Sequence, residues 1–213
     1  LKTYESGKGV RGSLTWNPVS QIVDALDNAF YLAFDTVEPT NKKWLLALDV
    51  SGSMSWNDVC GYPGLTPRVA SAAMAMVTAR VEKNYHVVAF CDKMVPVSIT
   101  KTNSLASVVS KTDNLPFGRT DCSLPVLYAL DEGIDVDVFA VYTDNETWSG
   151  NIHPCQALNK YRQNRGIDAK MAVIGMTSNG FSIADQDDRG MMDFVGFDTV
   201  VPQLMSEFAV GNI

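Results

Sequence analysis

The chain has 213 residues, of which 46% are hydrophobic and 19% charged, which gives it enough apolar material for a core and excludes a disordered tail or low-complexity linker. Its formal net charge of -7 falls entirely on residues 44–213, because residues 1–43 hold five basic and five acidic side chains. An acidic globule repels polyphosphate at long range, so tight autonomous binding of nucleic acid is disfavoured.

The length suits one domain with an appendage. The longest apolar runs, such as Trp44–Leu48, are about five residues, against the roughly 18 that a membrane helix needs. No secretory signal opens the chain, and it starts at Leu1 rather than Met, which suggests a fragment or processed product.

Residues 1–40 are expected to form a lead-in, and 41–213 the main domain. In the lead-in, Gly7, Gly9 and Gly12 alternate with Lys8 and Arg11, the composition of a mobile or extended arm. Asn17-Pro18 opens a helix in which Ile22, Leu26, Ala29, Phe30 and Ala33 recur at helical spacing. Lys43–Asp49 is a continuous apolar run without alternation, as in a parallel strand covered on both faces. His86–Phe90, Val136–Tyr142 and Ala169–Gly175 read the same way, whereas Val95–Ile99 alternates and contains Pro96, which fits an edge strand.

Helices are expected between the strands. Thr66-Pro67 caps one that runs to about Lys83, with a small-residue middle suited to close packing. Ser104–Lys111, Leu124–Glu132, Pro154–Arg165 and Val201–Phe208 are the others. This alternation predicts a mostly parallel sheet with helices on both faces.

Four cysteines stand at 60, 91, 122 and 155, too widely spaced for a zinc ribbon, and only His86 and His153 accompany them. Free thiols are expected, with Cys91 and Cys122 buried. His153, before Pro154, is expected to begin a helix. Asp185, Asp187 and Asp188 lack the order of a calcium loop and are read as a solvated turn.

In sheets of this kind, ligands bind beyond the carboxyl ends of the strands. After the first strand comes Asp49-Val50-Ser51-Gly52-Ser53, whose oxygen donors alternate by two and are hard ligands suited to Mg²⁺ or Mn²⁺. Thr143-Asp144-Asn145-Glu146 follows the fourth strand, and the loop 117–121 supplies Thr120. A phosphatase of the haloacid-dehalogenase type would need a second Asp where Ser51 stands. Phosphate-loop and nucleophile-elbow motifs are also missing, and Ser51 has no candidate His base, so no catalytic residue is assigned.

The three loops resemble the metal-ion-dependent adhesion site of von Willebrand factor A domains. The strings "TYESGKGVRGSLTW", "GRTDCSLP", "YTDNETW" and "GMTSNGFSIADQDDRGMMDFVGFDT" are similar to the Ro ribonucleoprotein (Ro autoantigen) family over essentially the whole chain. The resemblance implies an α/β, Rossmann-like doubly wound sheet of six strands with one antiparallel edge strand. It implies a divalent cation held by Asp49, Ser51, Ser53, Thr120 and Asp144, with Mg²⁺ favoured and Mn²⁺ or Ca²⁺ as alternatives. It also implies a missing N-terminal ring of helical repeats that holds Y RNAs and misfolded small RNAs, and a cytoplasmic, in part nuclear, location.

The segment "MSWNDVCGYPGL" and Arg119 depart from the family pattern beside the site. The expected activity is cation-dependent capture of an acidic side chain from a protein partner by a monomer away from membranes. Trp56 and Trp148 are candidates for an aromatic rim, although core packing would explain either equally well. The alternative is direct RNA contact through Lys2, Lys8 and Arg11, with Lys42 and Lys43 nearby. Lys160, Arg162 and Arg165 form a second cluster, for which a solvated helix face is the simpler reading.

Overall fold

The structure is a computed structural model that describes residues 1–113, 115, 118–144, 150–178, 180 and 182–213, with Asp35 by backbone only. Among these residues six strands form one sheet: β1 Lys43–Asp49, β2 Asn84–Phe90, β3 Met94–Val95, β4 Val138–Thr143, β5 Lys170–Gly175 and β6 Met191–Val195. The order is β3-β2-β1-β4-β5-β6. All pairings are parallel except β2–β3, where Ala89 faces Val95 and Phe90 faces Met94. This is the doubly wound sheet with one antiparallel edge that the sequence predicts.

The helices are α1 Lys2–Glu5, α2 Ser20–Leu32, α3 Pro67–Val81, α4 Leu105–Asp113, α5 Leu124–Asp131, α6 Pro154–Arg165 and α7 Val201–Val210. Successive residues of β1 point to opposite faces. Trp44, Leu46 and Leu48 join the core beneath α3, α4 and α7, while Leu45 and Ala47 join the core beneath α5 and α6. Burial on both faces is why β1 reads as an unbroken apolar run. In α3, Pro67–Ala79 are all buried. Its alanines let the helix lie close against the sheet, and the Thr66 side chain caps it by accepting from Val69 N.

Several expectations are corrected. The edge strand ends at Val95 instead of running to Ile99, because Pro96 has no N–H to extend the ladder. β6 is absent from the pattern reading. Asp193 interrupts its apolar sequence, and this carboxylate accepts from Ala184 N at 3.2 Å and from the Ser182 hydroxyl, which pins a preceding loop to the strand.

The lead-in is not an extended arm. Trp16 Nε1 donates to Tyr4 O at 2.9 Å, the two rings stack at 5.8 Å, and Lys8 bridges to Thr15. Helix α2 begins at Ser20, two residues after Pro18. It remains largely uncovered, but the following 3-10 turn buries Phe34, and Arg80 of α3 lies 3.8 Å from the Tyr31 ring centroid.

One buried acid joins the lead-in to the domain. Glu82, 3% exposed at the end of α3, accepts from Thr40 N and Thr40 Oγ1, both at 2.7 Å, and from Asn41 N at 3.2 Å. Thr40 Oγ1 in turn accepts from Trp44 Nε1 at 3.0 Å. Removing the carboxylate leaves three part-buried donors without this partner, the expensive half of a hydrogen bond. Glu82→Ala is expected to destabilise the chain by about 2–4 kcal/mol in urea denaturation, and Glu82→Gln by less.

Candidate metal centre

The chain winds outward from β1 through β2 to β3, then returns to the other side of β1 as β4. The strand order therefore reverses between β1 and β4, which opens a crevice at their carboxyl ends. Asp49 ends β1 and Thr143 ends β4, so the polar residues that follow the two strands meet there.

Asp49 is 1% exposed, and its carboxylate organises the crevice. Oδ1 accepts from Ser51 N at 2.7 Å. Oδ2 accepts from Thr143 Oγ1 at 2.8 Å and from Thr120 Oγ1 at 3.4 Å. Ser51 Oγ lies 3.1 Å from Ser53 Oγ, as the Ser51-Gly52-Ser53 backbone turns into a 3-10 segment, Gly52–Ser55. Asp144, 6% exposed, follows Thr143, and its backbone carbonyl is held by Thr177 Oγ1 at 2.8 Å. The structure thus brings Asp49, Ser51, Ser53 and Thr120 into one cluster, with Asp144 adjoining and raising the carboxyl pKa of Asp49 by its charge.

The Thr120 loop is held in place from beneath. Asp121 N donates to Cys91 O at 2.8 Å, which ties the loop to the end of β2. The Asp121 carboxylate accepts from Ser123 N at 3.0 Å and from Ser123 Oγ at 2.6 Å. The Asp92 carboxylate lies against Gly118, and this exposed side chain would have to turn away to admit a Cβ there.

The donor set fits a small divalent cation. Every donor is a hard oxygen. Adjacent ligands of an octahedral ion with 2.0–2.1 Å bonds stand about 3 Å apart, and the two serine hydroxyls have that spacing. Among the described residues no three His, Cys, Asp or Glu side chains gather to hold an ion, so the hydroxyls are essential to this set. Both Asp49 oxygens are already engaged by N–H and O–H donors. That suits a carboxylate which orients hydroxyl ligands from behind.

Two participants escaped sequence reading. Thr143 holds the Asp49 carboxylate, yet in the sequence it reads only as the first residue of the acidic string that follows a buried strand. Arg68, 6% exposed, reaches the Ser51 carbonyl from the first turn of α3. The Thr-Asp pair at the end of β4 was a usable signal for Thr143. Nothing local distinguishes Arg68 from a solvated helix-start residue.

Trp56 is 68% exposed and follows the serine turn directly, with its N–H on Ser53 O at 2.9 Å. Trp148 lies outside the described residues, as do Asn145 and Glu146. Lys2 is paired with Glu5 at 3.0 Å, whereas Lys8 and Arg11 are exposed.

The second basic cluster is mostly neutralised within the fold. Arg162 pairs with Asp188 at 2.5 Å and donates to Ala169 O, and Arg165 pairs with Asp135. Of that cluster Lys160 alone has no ion pair among the described residues. The same contact corrects the reading of the acidic run, because Asp188 is a half-buried ion-pair partner rather than a solvated residue. His153 caps α6 as expected, accepting from Cys155 N while its own N–H donates to Gln156 Oε1. None of the four cysteines forms a disulfide, and Cys91 and Cys122 are buried.

Burial pushes the Asp49 carboxyl up from 3.8 to about 6, against the lowering effect of the donors from Ser51 and Thr143. A raised pKa favours the folded state while the group is protonated. Its contribution is complete below about pH 4 and is lost as pH rises through about 6, leaving a buried anion at neutral pH. The metal-free Asp49→Asn variant is therefore expected to be more stable than the wild type at pH 7.5, by on the order of 1–2 kcal/mol. The gap should close near pH 4 in urea melts performed with chelator.

The family model for the Ro60 vWA domain matches residues 43–209. The RNA-binding protein RO60 of Deinococcus radiodurans is 49% identical over 210 residues, which are 99% of this chain and 40% of that protein. The RNA-binding protein RO60 of Caenorhabditis elegans is 46% identical over 211 residues, 99% of this chain and 32% of that protein. The chain thus spans well under half the length of these curated relatives. The crystal structure of the Deinococcus radiodurans RO (RSR) protein superposes with a TM-score of 0.88 at 49% identity, covering 99% of this chain and 42% of that one. The proximal thread matrix protein 1 of mussel byssus, at 10% identity and a TM-score of 0.56, shares the fold alone. On the match across residues 43–209 and these two relatives, the chain belongs to the Ro60 von Willebrand factor A domain family.

Proposed function

We propose that this chain is a divalent-cation-dependent binding module of a Ro-type RNA-binding protein, and that it captures an acidic side chain of a protein partner. The observation that carries the reading is the convergence of Ser51, Ser53, Thr120 and Asp49 at the β1–β4 crevice, with the two serine hydroxyls 3.1 Å apart. Ser51, Ser53 and Thr120 would hold the ion directly, and Asp49 and Asp144 would supply compensating charge and orientation. A bound Mg²⁺ or Mn²⁺ would offer an electrophilic position for a carboxylate oxygen.

The role of the protein residues follows from their contacts. Asp49 accepts from the Thr120 and Thr143 hydroxyls, which turns the lone pairs of Thr120 toward the crevice. Exposed Trp56 stands at the rim, where an aromatic side chain shields a charged contact from water. The relatives are named as RNA-binding proteins, which agrees with a binding role rather than catalysis. Y RNAs and misfolded small RNAs would be handled chiefly by other parts of such a protein, consistent with the -7 charge here.

Calorimetric titration with Mg²⁺ and Mn²⁺ after chelator treatment is expected to give one saturable site. Ser51→Ala, Ser53→Ala and Asp49→Ala should each weaken it by about 10–100-fold while circular dichroism stays native. A folded wild type without saturable binding would overturn the reading.

A second reading has its own observation. The lead-in turn and the Trp56–Leu65 loop enclose a groove of about 420 Å³ lined by Thr3, Ser6, Lys8, Val10 and Pro63 among others. Lys8 and Arg11 have no ion pair among the described residues. Phosphates of RNA would be positioned there, weakly in the isolated chain. Lys8→Ala is expected to weaken RNA binding alike for all sequences and to lower the logarithmic salt slope by about one unit. An unchanged slope in a filter-binding salt series would remove Lys8 from the contact.

A further inference from the structure

Arg68 occupies an unfavourable place. It is the second residue of α3, where the helix dipole disfavours a cation, and it is 6% exposed. Burying a guanidinium is costly unless fixed partners offset the lost hydration. Its partners come from the serine turn and from the last turn of α4. Nη1 donates to Thr112 O at 2.5 Å, Nη2 reaches Ser51 O at 3.5 Å, and Nε lies 3.3 Å from Asp113 Oδ1 in an ion pair.

One of those partners lies in the candidate cation site. Ser51 belongs to the serine turn. Thr112 and Asp113 close α4. One planar group therefore ties the serine turn to the end of a separate helix. The carboxylate of Asp49 also interacts with its charge. A lysine could offer the charge but not a fork that reaches two carbonyls at once.

We propose that Arg68 is the positioning residue of the cation site, clamping the Ser51 carbonyl to the end of α4 so that the serine turn presents the Ser51 hydroxyl to the ion. This rests on the metal-binding reading above. Arg68 acts from behind the loops, through the backbone, and makes no contact with the ion itself. Its loss should loosen the serine turn and with it the position of the Ser51 hydroxyl. Affinity for the ion should then fall even in molecules that remain folded.

The test is Mn²⁺ titration of the chelator-treated 213-residue chain as wild type, Arg68→Lys and Arg68→Gln, by calorimetry, with melting temperatures in parallel. Arg68→Lys keeps the charge and the aliphatic stem, so it decides the question by itself if Arg68→Gln does not fold. Arg68→Lys is expected to bind Mn²⁺ about tenfold more weakly, and Arg68→Gln at least as weakly. The loss in Arg68→Lys cannot be assigned to missing charge.

A lowered melting temperature with wild-type Mn²⁺ affinity would make Arg68 merely structural and overturn the proposal. Wild-type affinity in Arg68→Lys with unchanged melting would overturn it too. If the wild type binds no Mn²⁺, the metal reading falls and the Arg68 proposal with it. If the wild type binds and Arg68→Lys binds equally, only the role of Arg68 falls.

Discussion

The parallel pairing of β1 with β2 on one side and β4 on the other governs what the rest of the chain can do. The register aligns Asp49 with Phe90, and Leu48 with Tyr142, so β1 and β4 end within one residue of each other. Because the chain reverses its winding at that junction, no crossover helix covers the carboxyl ends there. The crevice exists for a topological reason before any particular side chain fills it. The alternating burial of Trp44 through Leu48 on two separate cores fixes the register, since a slip of one residue would exchange the two faces.

A site built at such a junction conflicts with stability. Asp49 is an almost fully buried carboxylate beside a second one, and its hydrogen bonds only partly offset the desolvation. An apolar residue at the end of β1 would suit the core better. Arg68 is a second expense of the same kind, a buried cation at the wrong end of a helix. Two such groups in contact with the same turn mark the crevice as a place where local energetic rules yield to chemistry.

The sequence made the central strand legible because its signal is local. β1 and α6 have the bounds that pattern and capping predict, and the D-x-S-x-S string marks where β1 ends. The edges were harder for physical reasons. Pro96 truncates β3, and Asp193 conceals β6 by placing a hydrogen-bonding carboxylate in the middle of an apolar strand. The glycine-rich lead-in reads as open chain, but the Tyr4–Trp16 stack and the Trp16 Nε1 hydrogen bond close it, a contact across twelve residues that composition does not encode. At the site, Asp49, Ser51 and Ser53 were visible by spacing. Thr143 and Arg68 required knowing which strand lies beside β1 and which helix end lies beneath the serine turn.

Helix α3 carries Arg68 in its first turn and is followed directly by Glu82, which grips Thr40 and Asn41. Its 15 residues span about 22 Å. The point where the chain enters the sheet and the turn that offers Ser51 are therefore joined by a single buried strut, packed along almost its whole length. A pull on the entering segment would be taken up at Glu82 and delivered lengthwise to the far end of the helix. The site and the polypeptide that leads into it are mechanically in series, although they stand at opposite ends of β1.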